Sequence, residues 1–526
     1  MTKTLHLPRL QCPLCDQHID SDLRWHIAET HGREALRQAV LAAKEEGMSD
    51  SEIGQRYGIS FGTLEQMLTE SYGANVALVK RPRRISRWQP ANFRPETSSV
   101  WSFKQRGDWA THSGHYRGNW SPYIPRNVIL RYSRPGDTVL DYFVGGGTTA
   151  VEAKLLGRRC IARDINPGAI EITLENLAFS PPGELLGKNT LYEPEVRVGD
   201  ARDLSDIPSD SIDLICAHPP YGGIVKYSTG VEGDLSNLTV EDFLLGMRQV
   251  ARESLRVLKP GGKCVILIGD GRKSKHVVPI GFETIRVFRD AGFVLRELVI
   301  KRQHNCRTTG FWYTRSIQYN FMLLAHEYLP VFEKPLGERI GEPRPLWATA
   351  LSSQAVSHRF SLVEEEKLET TTVWIFPQDR LESEVRRNLA LRFAGGAEFL
   401  EIRFGDGGAE KPDQIASRSP RSLHIRPPEQ ITEETLEGYR AAVKGIITQS
   451  RSVLPAGSFV VVEARDFYAP AGLVPAGLLL WQDMADQDHF ALKEIVIVAP
   501  LEMPEQGLKG PLTIAHSYLL VYRKKD

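Results

Sequence analysis

Alternating strand and helix patterns begin at about residue 97. Short apolar runs end there in polar or glycine-rich turns, and stretches with apolar residues every three or four positions separate them. The runs predicted as strands are TVLD, RRCIARD, EVRVGD, IDLICA and CVILIGD, with FVLRELVIK and YNFMLLAHEYLPVFEK as a terminal antiparallel pair. VLKPGG is predicted as a turn after a helix. Residues 97–335 are therefore expected to form a doubly wound, mainly parallel α/β sheet.

Two short amphipathic helical patterns precede this region, between residues 47 and 73. Each starts at a serine, a common helix N-cap, and Gly58-Ile59 separates them. The arrangement is typical of a helix-turn-helix, assigned here to residues 36–80. The same arrangement also occurs as a plain packing unit, so DNA contact and a structural role both remain open.

A basic linker is predicted over residues 81–96. From Lys80 to Arg106 the chain has eight Lys/Arg and one acid, Glu96, interleaved with aromatic residues. Phosphate neutralisation beside aromatic surfaces favours nucleic-acid binding, although a charge run is often only solvated.

Residues 1–35 contain four metal-ligand residue types at paired spacings, in the pattern C-x2-C-x10-H-x4-H. They are Cys12, Cys15, His26 and His31. Two thiolates and two imidazoles suit tetrahedral zinc, and both histidines lie on a predicted helix that can present them on one face. His18 is a spare candidate ligand. The alternative is a helix with scattered histidines and no metal.

The C-terminal region, residues 370–526, resembles a second, degenerate copy of residues 97–335, joined through a linker over 336–369. The matches are collinear: TSSVWSF with TTTVWIF, PRNVILRY with RRNLALRF, VLKPGGKCVIL with VLPAGSFVVVEA, VVPIGF with LVPAGL, FVLRELVIK with FALKEIVIV, and AHEYLPVFEK with AHSYLLVYRK. The second copy lacks room for all of the strand–helix units. We expect an internal pseudo-dimer whose second half serves packing or grips the substrate.

Composition narrows the function classes. The 526 residues carry 65 Lys+Arg and 65 Asp+Glu, with 41% hydrophobic positions, which is ordinary globular composition and not a uniformly basic nucleic-acid coat. Six cysteines, of which only Cys12 and Cys15 are close together, exclude a disulfide scaffold. There is no signal-peptide-like apolar region and no apolar run long enough to span a membrane. A cytoplasmic protein without membrane contact is therefore expected.

The turn DYFVGGGTT lies between a predicted strand and helix, where glycines let backbone N–H groups approach a ligand. Its candidate cofactor-binding residues are Asp141, Phe143, Gly145, Gly147, Thr148 and Thr149. Asp164 ends the next strand, where a carboxylate can accept hydrogen bonds from two ribose hydroxyls. Asp200 ends the third strand and can accept a hydrogen bond from the amino group of adenine. Each acid is alternatively a helix cap.

The fourth strand leads into His218-Pro219-Pro220-Tyr221. At this point the chain resembles the DNA amino-methyltransferases, which show D-P-F-x-G-x-G-T-T followed by [D/N/S]-P-P-[Y/F/W]. The resemblance covers about residues 97–335 and includes YIPRN, VLKPGG and QHNCRTTGFWYTRSIQYNF. It implies a Rossmann-like sheet that binds S-adenosylmethionine (SAM), with Tyr123, Pro125 and Asn166 as further cofactor-binding residues.

The family chemistry implies methyl transfer to cytosine N4 or adenine N6 of a base flipped out of duplex DNA. The lone pair of such an amine is delocalised, so acceptors must hold its N–H groups. By the resemblance, His218 and the carbonyl of Pro219 do this, Pro219 and Pro220 stiffen the loop, and Tyr221 stacks on the base. His218 replaces the usual Asp, Asn or Ser; it accepts only when neutral, so activity should fall as pH drops through its pKa.

Two other functions remain open at this level: an RNA base methyltransferase, and a non-catalytic DNA-binding regulator. No recognition domain fits between the glycine turn and HPPY. Target recognition is thus expected from the zinc and helix-turn-helix modules, from residues 225–237 or 302–316, or from the degenerate half. The sequence does not define a partner nuclease or the oligomeric state, although the pseudo-dimer can act as a monomer.

Overall fold

The computed structural model describes most of the chain: residues 10–15, 17–19, 23–59, 63–64, 67–68, 83–114, 116, 118–180, 190–222, 231–304, 308–337, 353–358, 368–394, 399–404, 420–485, 487–502 and 510–525. Within these ranges, no helix combines the length and apolar character needed to cross a membrane.

The N-terminal module is a hairpin followed by three helices. Its elements are β1 (Leu10–Gln11), β2 (His18–Ile19), α1 (Leu23–Thr30), α2 (Gly32–Glu45) and α3 (Asp50–Tyr57). Their apolar faces form one small core that includes Ile27, Val40 and Ile53. The module therefore has a core of its own, separate from those of the two large sheets.

The predicted helix-turn-helix lies only partly within the described residues. α3 has a capping box between Ser49 and Glu52 and ends at Gly58, whose φ of +64° is the left-handed conformation that glycine favours. Leu64 and Met67 pack into the same core as α3. Because the rest of the second helical pattern lies outside the described residues, the interpretation stays a prediction.

The basic segment has some of its cations bound within the fold. Arg87 pairs with Asp108 at 2.6 Å, and Arg106 donates to the backbone carbonyls of Asn119 and Ser113. Lys80 and Arg81 lie outside the described residues. Some of these positive side chains therefore make contacts within the protein, which the sequence alone did not predict.

The first large sheet follows. Its region contains β3 (Arg83–Arg84), β4 (Val100–Ser102), β5 (Thr138–Asp141), β6 (Arg159–Asp164), β7 (Phe179–Ser180), β8 (Glu195–Val198), β9 (Ile212–Ala217), β10 (Leu258–Ile266), β11 (Ile268–Gly269), β12 (Gly271–Lys273), β13 (His276–Val278), β14 (Val294–Arg302) and β15 (His326–Glu333). The strand order is β4-β14-β15-β10-β9-β5-β6-β8. β15 is antiparallel to both neighbours, and the other described pairings along this order are parallel. The expected doubly wound sheet with a terminal antiparallel pair is present.

Helices cover both faces of this sheet. They are α4 (Tyr123–Tyr132), α5 (Thr148–Leu155), α6 (Pro167–Leu177), α7 (Val240–Val257), α8 (Ile280–Asp290) and α9 (Thr308–Gln318). α4, α5 and α6 share one core with Val139 and Leu214, whereas α7 and α8 share another with Leu140 and Ile215. Alternate residues of each strand thus enter opposite cores, as expected for a sheet buried on both faces.

One local prediction was wrong. VLKPGG does not form a free turn, because Leu258 to Gly262 already belong to β10, with a register shift between Leu258 and Lys263. The irregular pairing accommodates the proline and glycines inside an extended strand.

A second sheet occupies the C-terminal region. Its elements are β16 (Ser353–His358), β17 (Val373–Phe376), α10 (Leu381–Leu389), β18 (Phe399–Phe404), β19 (Ser422–Ile425), α11 (Glu433–Val453), β20 (Phe459–Ala464), β21 (Phe467–Ala469), β22 (Gly472–Val474), α12 (Ala476–Met484), β23 (Phe490–Pro500) and β24 (Ser517–Lys524). The order is β16-β18-β19-β20-β24-β23-β17. From β18 to β17, the strands of the second sheet correspond one by one to the strands β5-β9-β10-β15-β14-β4 of the first sheet. β16 lies antiparallel at the edge where β6 and β8 extend the first sheet.

A buried hydrogen-bond chain joins the two sheets. Ser99 Oγ, just before β4, lies 2.7 Å from His516 Nδ1, and His516 Nε2 lies 2.8 Å from the Tyr518 hydroxyl. Tyr518 in turn donates to Asp466 at 3.1 Å. All four side chains are buried, so each contact replaces hydration that the groups have lost.

The same chain recurs with the halves exchanged. Thr372 Oγ1, just before β17, lies 2.9 Å from His326 Nδ1, and His326 Nε2 lies 3.0 Å from the Tyr328 hydroxyl, which donates to Asp270. Each half therefore supplies a hydroxyl to the other half's histidine. Such reciprocal contacts are characteristic of a two-fold interface.

We predict that Ser99→Ala destabilises the chain by about 1–3 kcal/mol, because His516 and the Ala515 N–H lose a buried partner. Thr372→Val should have a similar effect through His326. Denaturant unfolding measures both, with Thr448→Val on the exposed side of α11 as the control. Equal stability of Ser99→Ala and the control would show that the chain contributes little.

Candidate functional site

A cleft opens at the carboxyl ends of β5, β6, β8 and β9. It encloses about 760 Å³, counted out to open solvent. The residues predicted from sequence that line it are Phe143, Gly145, Asp164, Asn166, Asp200, His218, Pro219 and Pro220. Strand ends and the loops after them therefore bring most of the candidate positions together, as is general for open α/β sheets.

Other predicted residues lie beside the cleft and do not line it: Tyr123, Pro125, Asp141, Gly147, Thr148, Thr149 and Tyr221. Tyr123 packs in a cluster with Phe103 and Trp109. Gly147 caps α5 with φ +83°, and a Cβ there would approach Thr173 within 3.2 Å, so this glycine serves helix packing. Thr148 and Thr149 begin α5 and are buried.

The N–H groups of the glycine turn already have protein partners. Gly145 N–H donates to Asp164 Oδ2 at 2.9 Å, and Gly146 N–H donates to Asn119 Oδ1 at 3.1 Å. A Cβ on Gly146 would meet the Asn119 amide at 2.3 Å, so only glycine fits below that side chain. The turn thus shapes the floor of the cleft and fixes one carboxylate at its edge.

The three acids differ in environment. Burial raises the pKa of Asp164 to about 6 and that of Asp141 to about 7. The Asp141 carboxylate accepts the Phe143 N–H, consistent with a role in shaping the turn. Asp200 pairs with Arg202 through contacts of 2.6–3.0 Å and still lines the cleft. Of these three acids, Asp164 and Asp200 line the cavity and Asp141 does not.

A segment that the sequence did not indicate forms the opposite wall. It contributes Tyr116, Gly118, Asn119 and Trp120, and the loop before the short 3₁₀ turn Leu235–Asn237 adds Gly233 and Asp234. No spacing pattern marks these residues, and aromatic residues interleaved with glycine and asparagine were the only signal.

The start of this wall is anchored by one buried carboxylate. Glu152 of α5 accepts hydrogen bonds from Trp109 Nε1 at 2.6 Å, from Arg126 at 2.9 Å, and contacts His112 Nε2 at 2.7 Å. Its side chain is fully buried. Because an unpaired buried charge is costly, these partners fix the loop that leads into the wall.

The HPPY loop follows β9, and its side chains contact an aromatic ring and a buried ion pair. The His218 ring stacks on Trp120 with centroids 5.5 Å apart, and its Nε2 lies 3.0 Å from the Tyr221 hydroxyl. Tyr221 donates to Glu327 at 2.7 Å, and Glu327 pairs with Lys301 at 2.7 Å. Tyr221 is thus linked to His218 by a hydrogen bond, which the sequence did not indicate.

The charge state of His218 follows from its surroundings. Burial lowers its pKa to about 4, with Lys301 and Arg106 acting in the same direction and Glu327 and the Gly118 carbonyl opposing them. The ring is therefore neutral at physiological pH. Burial raises the pKa of Glu327, but the Lys301 ammonium and hydrogen bonds from Lys301 and Tyr221 outweigh this and hold it at about 2, so the carboxylate is ionised.

A second, basic cavity of about 950 Å³ adjoins the cleft and shares Gly118, Asn119, Trp120 and His218 with it. Its remaining lining includes Lys104, Arg106, Tyr221, Lys301, Arg302, His304 and Glu327. The HPPY loop therefore lies where an acid-lined cleft meets a cation-lined cavity.

The predicted metal ligands come together in the N-terminal module. The ligand atoms of Cys12, Cys15, His26 and His31 all lie within 4.8 Å of one another. Cys12 Sγ is 3.5 Å from His31 Nε2, and Cys15 Sγ is 3.4 Å from His26 Nε2. Two sulfurs and two imidazole nitrogens at these separations suit a tetrahedral ion.

Comparison with known proteins finds a family match for the part of the chain that contains the glycine-rich turn. Residues 68–175 match the family model described as DNA methylase. A tRNA (guanine(10)-N2)-dimethyltransferase of Methanothermobacter thermautotrophicus is 33% identical over 130 residues, 24% of this chain and 34% of that protein. A type II methyltransferase of Methanocaldococcus jannaschii is 24% identical over 107 residues, 20% of this chain and 53% of that protein.

A SAM-dependent methyltransferase structure from Methanosarcina mazei is 18% identical over 40% of this chain and 98% of that chain, with a TM-score of 0.28. The chain spans about a third and about half of the lengths of the two relatives above. Residues 68–175, which include the glycine-rich turn, are thus similar to the DNA methylase family.

Proposed function

We propose that the chain is a SAM-dependent methyltransferase that modifies an exocyclic amino group, cytosine N4 or adenine N6, of a base flipped out of duplex DNA. The observation that carries the proposal is the position of HPPY, between the acid-lined cleft and the basic cavity. At such a junction a cofactor in the cleft and a polyanionic target in the basic cavity can meet.

The cleft suits SAM in residue type and placement. Asp164, at the end of β6, faces the cavity and would accept hydrogen bonds from ribose hydroxyls. Asp200 would accept the adenine amino group, and Phe143 and Asn166 complete the wall near the glycine turn. SAM supplies an electrophilic methyl group; the protein's part is to hold acceptor and donor in line.

The basic cavity suits the target strand. Lys104 and Arg302 would supply cations for phosphates. The neutral His218 and the carbonyl of Pro219 would accept hydrogen bonds from the target amine, which orients its lone pair toward the methyl group. Base flipping is required because the amine is paired inside the duplex.

RNA is the second candidate substrate. The relative that is 33% identical is a tRNA methyltransferase, and a pocket for a flipped-out base suits an unpaired RNA base as well. A non-catalytic regulator is less well supported, because the cleft and the neutral His218 are both formed.

We further propose that the C-terminal sheet is a degenerate copy that no longer binds cofactor. Arg426-Pro427-Pro428-Glu429 follows β19 as HPPY follows β9. The Arg426 guanidinium lies among Glu382, Glu401 and Glu463, with contacts of 2.9–3.7 Å. This ion network lines a cavity of about 370 Å³ in the second half. A guanidinium paired with carboxylates stands there in place of the acceptor that His218 provides, so the chain would be a monomeric pseudo-dimer with one active site.

The direct test is incubation of the full chain with isotope-labelled SAM and unmodified duplex DNA or RNA, followed by mass spectrometry of nucleosides. We expect N4-methylcytosine or N6-methyladenine from DNA. Label only in RNA would favour the second candidate. SAM binding without label in either would reject the catalytic proposal.

Asp164→Asn should weaken SAM binding about tenfold to a hundredfold, since hydrogen bonds to a charged acceptor are worth about 1.5–3 kcal/mol. Asp206→Asn, a half-exposed carboxylate paired with Arg163, is the matched control. Calorimetry should also give one SAM per chain. A stoichiometry of two would contradict the degenerate second half.

The acid limb of the pH–rate profile should lie near pH 4 to 5, not near 6.5. The pKa of His218 is lowered to about 4, so the ring stays neutral and accepting above that value and becomes a cation below it. Single-turnover rates with saturating SAM measure this, with circular dichroism to confirm folding at each pH. His218→Ala should be slower throughout, and a wild-type limb at pH 6.5 would contradict the neutral role.

We also propose a structural zinc ion on Cys12, Cys15, His26 and His31, in a module that contacts nucleic acid. Elemental analysis should give one zinc per chain, lost in Cys12→Ser and kept in His18→Ala, whose side chain is exposed. Removal by a chelator should reduce DNA affinity and leave SAM affinity unchanged, because the module has a separate core. Full DNA affinity without zinc would refute the role.

A further inference from the structure

We propose that Glu327, paired with Lys301, is a positioning residue that fixes His218 through Tyr221. The inference rests on the proposed methyl transfer, and it assigns Tyr221 a hydrogen-bonding role in addition to any contact with the base. The sequence places Glu327 and Lys301 in predicted strands and indicates no role for either side chain at the site.

Four side chains form a continuous path. His218 Nε2 lies 3.0 Å from Tyr221 Oη, Tyr221 Oη lies 2.7 Å from Glu327 Oε1, and Glu327 Oε2 lies 2.7 Å from Lys301 Nζ. Glu327 and Lys301 are directly opposite on β15 and β14. The path therefore runs from the HPPY loop across the sheet to two strands whose places are fixed by backbone pairing.

The direction of the hydrogen bonds follows from the chemistry of each group. Lys301 can only donate, and the ionised Glu327 can only accept. Tyr221 has a single proton, which it gives to Glu327, so its oxygen accepts from His218 Nε2–H. A neutral His218 then keeps the lone pair on Nδ1. The path thus favours the tautomer in which Nδ1 is the hydrogen-bond acceptor, and the Gly118 carbonyl, which also accepts from the ring, is the competitor for its single proton.

This selection gives His218 a property that the Asp, Asn or Ser of the family motif has without help, namely an oriented acceptor. Trp120, stacked on the ring, restricts its plane, and the path restricts its rotation. A neutral imidazole offers an acceptor on only one nitrogen, so the substitution by histidine works only where the other nitrogen has a defined partner.

The second half supplies an independent comparison. Arg426 and Glu429 occupy the positions of His218 and Tyr221 after β19, and Ser517 precedes Tyr518 as Glu327 precedes Tyr328. Three of the four members of the path, His218, Tyr221 and Glu327, therefore differ in the second half, where Arg426 lies among carboxylates. The path is therefore not required by the shared fold, which argues against a purely structural role.

The test is a double-mutant cycle with Glu327→Gln and Tyr221→Phe, assayed for methyl transfer and SAM affinity in the full chain. Phe keeps the ring for stacking and removes only the hydroxyl. We expect each variant to lower kcat at least tenfold with SAM affinity and KM for DNA little changed, and the double variant to be no slower than the slower single variant. Glu333→Gln, on the same strand and paired with Lys263 and Arg296, is the control.

Wild-type kcat in Tyr221→Phe, or losses that multiply in the double variant, would overturn the inference. A second measurement does not depend on activity: nitrogen NMR of the chain labelled with ¹⁵N-histidine reports which ring nitrogen carries the proton, with His218→Asn identifying the signal. We expect protonated Nε2 in the wild type and loss of this preference in Glu327→Gln. An unchanged tautomer refutes the positioning role even if no nucleic-acid substrate is methylated.

Discussion

The parallel pairing of β5 and β9 is the constraint on which the site depends. Val139 pairs with Leu214 and Leu140 with Ile215, so the glycine turn and the HPPY loop leave the sheet at the same edge. Both strands are buried on two faces, which fixes their register, since a slip of one residue would turn every side chain toward the wrong core. The two motifs are distant in sequence and adjacent in space for this reason.

Two buried carboxylates fix the loops that surround the site. Glu152 ties the wall of the cleft to α5 through three donors, and Glu327 ties the HPPY loop to β14 and β15. In both cases one carboxylate joins a loop to a helix or strand through side-chain hydrogen bonds. Such groups are costly to bury alone, so the loops that satisfy them are held in one arrangement.

The two sheets share an interface of reciprocal contacts, and their sites differ in charge. Where His218 faces an open cleft, Arg426 is surrounded by carboxylates. Similar strand order therefore coexists with opposite chemistry at the strand ends. The buried chains through His326 and His516 show why both halves retain the same core residues at the interface, since each half completes the hydrogen bonding of the other.

The sequence by itself determined the main strands of the first sheet, the acids at its strand ends and the HPPY loop, because these follow from apolar periodicity and from short motifs at strand termini. It also indicated the Cys/His set through its spacing. Only the tertiary structure showed that Asn119 and Trp120 lie beside the glycine turn and line the cleft. It also showed that Tyr123 and Gly147 do not line the cleft. The hydrogen bonds that join Tyr221 to Glu327 and Lys301 were likewise visible only there. Those contacts join residues far apart along the chain, and no local pattern encodes a partner that arrives from another strand.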